Sequence, residues 1–177
     1  PTPSPRVSPT APQPEPPEMI GMQASADPAE RKQAVSNLAR RASDPEALQK
    51  LDKFAREDPD KSVRKYAWNQ VHDLYLDGNR DVEPTVVWMM EHGTGDPPIE
   101  AVGVYRQKGA DPRALKGAMR NPNPDVRELA VAALADVAPR ASDKLTIDYD
   151  ALLAPALADP AAAVRKRAED VRPKLPK

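Results

Sequence analysis

The side chains of this sequence that could do chemistry are few. It contains no cysteine and only two histidines, His72 and His92, so thiolate nucleophiles and Cys-ligated metal sites are excluded. The Gly-Thr-Gly-Asp segment at 93–96 is similar to a phosphate loop, but it lacks the lysine and the strand that such a loop needs. We interpret it as a connection between helices. The sequence therefore predicts a protein that is not an enzyme, with no catalytic, metal-binding or cofactor-binding residues.

One set of side chains has the composition of a binding surface instead. Spacings of i, i+4, i+8 and i+11 place four residues on one face of a predicted helix over 60–77: Arg64, Trp68, His72 and Tyr75. Because Trp, Tyr and Arg dominate the energetics of protein–protein contacts, we predict that these four residues bind a peptide or helix of a partner protein. The alternative is that Trp68 and Tyr75 pack inside a core that is short of large side chains.

The elements that position these residues must be built from small apolar side chains. Hydrophobic residues make up 40% of the 177 positions but aromatic residues only 4%, a composition that suits closely packed helices. The net charge is -1, so composition gives no electrostatic argument for binding nucleic acid. The sequence has no apolar run near the roughly 18 residues that span a bilayer, so we predict no membrane insertion within this chain.

The N-terminal segment differs in composition from the rest. Eight of the first seventeen residues are proline, which favours extended backbone and removes hydrogen-bond donors. We therefore predict a disordered proline-rich tail or linker over residues 1–25, which tethers a folded domain over residues 26–177. A proline-rich start without Met also favours a bacterial chain trimmed after export, in the periplasm or cell envelope, with a cytoplasmic location as the alternative.

From residue 27 onward the apolar residues recur at helical spacing. No segment shows sustained alternation of apolar and polar residues, so we predict an all-α fold. Asp-Pro or Asn-Pro marks the helix starts, because Asp and Asn cap the first N–H groups and proline suits the first helical position. These pairs begin at residues 27, 44, 58, 96, 111, 121, 123 and 159. This spacing predicts many short helices with tight connections.

A ten-residue pattern recurs without gaps in the predicted domain. Residues 58–67, 121–130 and 159–168 share [DN]-P-x-x-x-V-R-x-x-A, which average residue usage would produce at roughly one start in a million. The pattern resembles the HEAT repeat family, including its PBS-lyase type, and Pro155 fits the proline with which that family kinks a first helix. A further unit begins at residue 96 but has Ala101 and Val102 in place of Val-Arg. A unit at residue 27 aligns only with a two-residue deletion.

The resemblance covers about residues 26–175 and implies an architecture. It implies an α-solenoid of about four to five HEAT-like helix pairs, in which the second helices line a concave face that receives a partner's peptide or helix. It also implies that the arginine after valine, at positions 64, 127 and 165, pairs with an acidic residue of an adjacent unit. Between residues 82 and 119 the departures from the pattern predict an irregular turn of the solenoid.

The leading functional hypothesis is a non-catalytic protein–protein interaction scaffold, tethered through its proline-rich segment. Two alternatives stay open. One is a DNA-binding protein of the alkylation-repair type, which requires a basic concave face that the neutral net charge disfavours. The other is a lyase or chaperone for a tetrapyrrole such as a bilin, because some proteins with HEAT-like repeats handle these pigments.

Overall fold

The computed structural model describes residues 17–143 and 146–176. Within these two ranges the chain is helical and has no strand, which confirms the predicted all-α class. Its ten α-helices are α1 (Pro17–Gln23), α2 (Pro28–Arg40), α3 (Pro45–Glu57), α4 (Lys61–Leu76), α5 (Glu83–His92), α6 (Pro97–Lys108), α7 (Leu115–Ala118), α8 (Pro124–Val137), α9 (Tyr149–Leu157) and α10 (Ala162–Val171). Short 3₁₀ turns span Arg80–Val82, Pro112–Ala114, Ala138–Arg140 and Arg172–Lys174.

Helix α1 begins inside the segment 1–25 that was predicted to be a tail. It packs against α2, so residues 17–23 of this segment are helical and contact the folded domain. Residues 1–16 lie outside the described residues, and a disordered spacer there stays a prediction. Among the described helices, none combines the length and the apolar character needed to span a bilayer.

Four α-helices, α2, α3, α6 and α8, begin where the capping pairs predict, and three of them have the predicted side-chain cap. Asp27 caps α2, Asp44 caps α3 and Asn123 caps α8. In each case the side-chain oxygen accepts a hydrogen bond from the backbone N–H two residues later, and proline occupies the first helical position. These caps satisfy donors that would otherwise have no partner at the helix start.

The predicted caps at Asp58, Asn121 and Asp159 are wrong by two or more residues. Helix α4 begins at Lys61 with Asp60 as its cap, and α10 begins at Ala162. The side chains of Asp58 and Asp159 instead accept the backbone N–H two residues later, at 2.8 Å in both cases. This Asx turn leads the chain into the helix and leaves the carboxylate facing the neighbouring helices. Both aspartates are only 6% exposed.

The helices pack in a regular order along the chain. Each odd-numbered helix contacts the even-numbered helix that follows it, and we number these helix pairs one to five. The even-numbered helices also contact one another in chain order, from α2 to α4, α6, α8 and α10. Side chains on an even-numbered helix therefore meet side chains of the next helix pair.

A single apolar cluster, built mainly from alanine, valine and leucine, runs through the described part of the chain. Its three largest fully buried side chains are Trp68, Tyr75 and Tyr105. All three belong to α4 and α6, so the bulkiest part of the core lies between helix pairs two and three. The rings of Tyr75 and Tyr105 stack there, with 6.3 Å between centroids and 7° between planes.

Candidate partner-binding surface

Two of the four predicted partner-binding residues are core residues, and this corrects the predicted surface. Trp68 and Tyr75 are 0% exposed. The indole Nε1 of Trp68 donates to a carboxylate oxygen of Glu100 at 2.8 Å, and the hydroxyl of Tyr75 donates to Glu83 at 3.2 Å. Because α6 covers this face of α4, Trp68 and Tyr75 offer no surface to a partner. The alternative that they pack inside the core fits the structure.

Arg64 and His72 remain partly accessible on α4. The His72 side chain is 29% exposed, and its Nδ1 lies 3.2 Å from a carboxylate oxygen of Asp73. Its ring meets the edge of the Trp68 ring at a centroid distance of 6.0 Å. Of the predicted stripe, the accessible part is therefore Arg64 and His72, and their role in binding stays a prediction.

Arginines link successive helix pairs through buried carboxylates. Arg31 of α2 donates to Asp58 through Nε at 2.8 Å and through Nη2 at 3.0 Å. Arg127 of α8 donates to Asp159 in the same way, at 2.7 and 3.0 Å. Such bidentate pairs fix both distance and orientation. For Arg127 this confirms the expectation that the arginine after valine pairs with an acid of an adjacent unit.

The third nitrogen of these guanidinium groups has a fixed local role. Nη1 of Arg31, Arg64, Arg127 and Arg165 donates to the backbone carbonyls six and five residues earlier. Four helices thus hold an arginine in one common orientation. For Arg64 and Arg165, however, Nε and Nη2 have no acceptor among the described residues, so the expected pairing with an adjacent unit is wrong for these two.

The interface between pairs three and four uses a neutral contact instead. Val102 occupies the position of the arginine on α6, and Asn121 occupies the position of Asp58 and Asp159. The amide nitrogen of Asn121 donates to the carbonyl oxygens of Met90 and Gly93 at 3.0 and 3.3 Å. An aspartate there would place an unpaired charge in a buried position, which is costly. The two positions are therefore matched: arginine on one helix pair occurs with aspartate on the next pair, and valine occurs with asparagine.

We expect the ion pair of Arg127 to weaken in acid. The hydrogen bond from Arg127 outweighs the opposing effect of burial and lowers the pKa of Asp159 below its ordinary value of 3.8. A carboxyl group with a lowered pKa in the folded state stabilises the fold above its unfolded pKa. That stabilisation is lost as the pH falls through the folded pKa.

Urea unfolding of the wild type and of Asp159→Asn at a series of pH values from about 6 to about 2 measures this effect. The difference in unfolding free energy should shrink toward acid, because protonated Asp159 becomes a neutral acceptor like asparagine. A difference that stays constant across the series would contradict the ion pair.

A surface cavity of about 520 Å³ lies beside the accessible part of Arg64. It is bounded by the end of α3, the first turns of α4, the end of α5 and the turn that connects α5 to α6. We call it the Arg64 cavity. Its lining residues are Ala55, Arg56, Lys61, Arg64, Lys65, Trp68, Trp88, Met89, His92, Gly93, Thr94, Gly95, Asp96 and Pro97. Four of these are cationic and one is a carboxylate.

The turn at 93–96 is a connection between helices, as predicted. Gly95 has φ +75°, a left-handed conformation that favours glycine. Asp96 is exposed, and its side chain makes no cap hydrogen bond to α6. Asp96 occupies the position that corresponds to Asp58 and Asp159, six residues before the Val102 position. The turn therefore places Asp96, the acidic residue of this repeat, beyond ion-pair distance from Arg64.

Two of the cations of the Arg64 cavity already have carboxylate partners. Lys65 donates to both oxygens of Glu100, at 2.7 and 2.8 Å. Burial opposes the ionisation of Glu100, but hydrogen bonds from Lys65 and Trp68 outweigh it and lower its pKa. Arg56 pairs with Asp52 at 2.6 Å. Lys61 and Arg64 have no carboxylate within ion-pair distance among the described residues.

Trp88 forms the aromatic wall of the same cavity. Its side chain is half-buried and packs against the apolar core cluster. The guanidinium of Arg56 lies 4.9 Å from the Trp88 ring centroid, and the His92 ring stacks on Trp88 with 5.3 Å between centroids. Sequence reasoning missed Lys61, His92 and Trp88 as surface residues. For His92 and Trp88 the only sequence signal was the irregular unit between residues 82 and 119, and Lys61, in the regular unit that begins at residue 58, had none.

Among residues 17–143 and 146–176, no group of three or more His, Asp or Glu side chains could hold a metal ion. Neither a scan against protein-family models nor a search of curated proteins found a match to this chain.

Proposed function

We propose that the five helix pairs form a short HEAT-like α-solenoid. The contacts of α2, α4, α6, α8 and α10 in chain order support this architecture, because each helix pair then buries its apolar face against its neighbours. The repeated orientation of four arginines gives independent support. It requires the same local geometry at the start of each of four even-numbered helices.

We infer that this solenoid is a non-catalytic scaffold that binds another protein. The observation that carries the proposal is the continuous layer of even-numbered helices, which leaves a long open surface with Arg64 and His72 accessible on it. Open surfaces of this kind suit macromolecular partners, since repeat proteins use them for extended contacts. The proline-rich segment would act as the tether.

The DNA-binding alternative has less support. At least nine arginines of the described chain form ion pairs with carboxylates, which offsets their positive charge: Arg31, Arg41, Arg56, Arg80, Arg106, Arg113, Arg127, Arg167 and Arg172. No feature of the described residues favours a tetrapyrrole. The periplasmic or cell-envelope location stays a prediction that fractionation of source cells would check.

Affinity capture from source-cell lysate with the full 177-residue chain as bait tests the scaffold proposal. A variant with Arg64→Gln and His72→Ala should retain less of a protein partner, because both substitutions lie on the accessible part of α4. The control carries Arg165→Gln, at the position equivalent to Arg64, and Glu169→Ala one helical turn further along α10 of the last pair. It should retain the partner like the wild type.

Quantitative mass spectrometry of the retained proteins and absorbance spectra of the eluates distinguish the outcomes. Retention of no protein above a tag-only bait would contradict the scaffold. Recovery of nucleic acid or of a pigment would favour the corresponding alternative. Equal loss in both variants would place the binding surface elsewhere on the solenoid.

A further inference from the structure

Two arginines on even-numbered helices show which group binds to the Nε and Nη2 atoms of such an arginine. Arg31 and Arg127 present Nε and Nη2 to the next helix pair, and both receive a buried carboxylate with two hydrogen bonds of 2.7–3.0 Å. The orientation is set by Nη1, which donates to two backbone carbonyls. Arg64 has the same Nη1 contacts, to the carbonyls of Asp58 and Pro59. Its Nε and Nη2 are therefore held in the orientation that binds a carboxylate.

The next helix pair supplies no carboxylate to Arg64. The turn through Gly95 leaves Asp96 exposed and outside ion-pair distance. Between Arg64 and this turn lies the Arg64 cavity, which is large enough to admit a side chain from outside. Arg165 is the other of the four repeat arginines without a carboxylate partner, and the fifth pair has no following helix pair in the described chain to enclose such a cavity.

The electrostatics of the Arg64 cavity favour an anion. Of the four cations that line the cavity, Lys61 and Arg64 have no carboxylate partner among the described residues, and both lie in the first turn of α4. The charges of Lys65 and Arg56 are balanced by Glu100 and Asp52. Asp96, the one carboxylate of the lining, opposes an incoming anion and lies on the exposed rim.

We propose that the Arg64 cavity binds an acidic side chain, aspartate or glutamate, of a partner protein's peptide. The Nε and Nη2 of Arg64 donate to its two oxygens, as those of Arg31 and Arg127 do to Asp58 and Asp159. Lys61 adds a second cation, and the Trp88 ring contacts the apolar part of the peptide. This inference rests on the proposed scaffold function and specifies the chemistry of the partner.

A carboxylate bound in this way would link the second helix pair to the partner as Asp58 links the first pair to the second. The planar fork of arginine prefers the paired oxygens of a carboxylate, whereas lysine binds only as a point charge. Arg64→Lys should therefore weaken binding although it preserves the charge. Comparison of this variant with the wild type therefore separates bidentate hydrogen bonding by the guanidinium from general attraction to a positive surface.

The test uses a rhodamine-labelled peptide of alternating glutamate and glycine, and the same peptide with glutamine in place of glutamate. Fluorescence anisotropy with the full chain should show binding of the first peptide and not of the second. Arg64→Gln should weaken binding by about tenfold or more, the effect of losing one charge-assisted pair. Arg165→Gln, which removes the same local hydrogen bonds on α10, should leave binding unchanged.

Two further measurements do not depend on whether Arg64→Gln folds. Asp96→Asn removes the opposing carboxylate of the rim and should tighten binding by roughly threefold, as for an exposed charge. In the wild type, the NMR signal of the Arg64 Nε–H should shift when the glutamate peptide is added, while that of Arg165 should not.

Equal binding of the glutamate and glutamine peptides would overturn the proposal, as would an unshifted Arg64 signal at saturation. If the glutamate peptide does not bind but lysate capture retains a protein that depends on α4, the scaffold function stands and the acidic partner is excluded. If the peptide binds and no protein is captured, the carboxylate site stands and the scaffold function fails.

Discussion

Replacing Trp68 with alanine should lower the free energy of unfolding by about 3–5 kcal/mol, the range for truncating a buried tryptophan. Trp68 is fully buried between α4 and α6, where neighbouring side chains have little freedom to refill the space. The substitution also removes the indole N–H that donates to Glu100. Urea denaturation followed by far-UV circular dichroism measures the loss.

Two controls separate the packing of Trp68 from a general sensitivity to the loss of tryptophan. Trp68→Phe fills most of the space and should cost less than alanine. Trp88→Ala removes a half-buried ring beside the Arg64 cavity and should cost roughly 1–2 kcal/mol. A cost below about 1 kcal/mol for Trp68→Ala would contradict the buried position. In that case Trp68 would again be a candidate surface residue.

Replacing Asp159 with alanine should lower the free energy of unfolding by about 3 kcal/mol, the order of loss when one partner of a buried ion pair is removed. The guanidinium of Arg127, whose side chain is 13% exposed, would lose its carboxylate. The backbone N–H of Ala161 would also lose its acceptor. Asp150→Ala is the control, because Asp150 and Arg172 are 70% and 57% exposed, and it should cost less than about 1 kcal/mol.

A double-mutant cycle tests whether arginine–aspartate and valine–asparagine are interchangeable matched pairs. Asp159→Asn with Arg127→Val copies the pair of Val102 and Asn121. Because asparagine can keep the Asx turn and valine removes the unpaired charge, the double variant should be more stable than the sum of the single losses predicts, by about 1–3 kcal/mol. Additive losses would show that the two positions are not energetically coupled.

Local chemistry along the chain determined the helical class and much of the helix pattern. Apolar residues at helical spacing predicted an all-α protein, and the described chain is helical. Asp27, Asp44 and Asn123 were identified as caps because capping involves only neighbours within three residues. The repeated Val-Arg motif also indicated a contact between units, and Arg127 makes it.

The same local rules failed where a distant segment competes for the side chain. Asp58 and Asp159 have the sequence of a helix cap, yet their carboxylates bind arginines 27 and 32 residues earlier. A bidentate arginine pair is stronger than a neutral cap hydrogen bond. The chain therefore delays the helix start by an Asx turn, and Asp60 takes over as the cap of α4.

Helical spacing alone places Arg64, Trp68, His72 and Tyr75 on one face of a helix, so the sequence was sufficient to predict that relation. Which part of this face is covered depends on the packing of other helices. Helix α6 brings Glu100 and Tyr105 onto it and buries Trp68 and Tyr75, while the turn at Gly95 moves Asp96 away from Arg64. Spacing within one helix carries no information about the helix that packs on it. The burial of Trp68 and Tyr75, and the lack of an acceptor for Nε and Nη2 of Arg64, therefore depend on contacts between helix pairs.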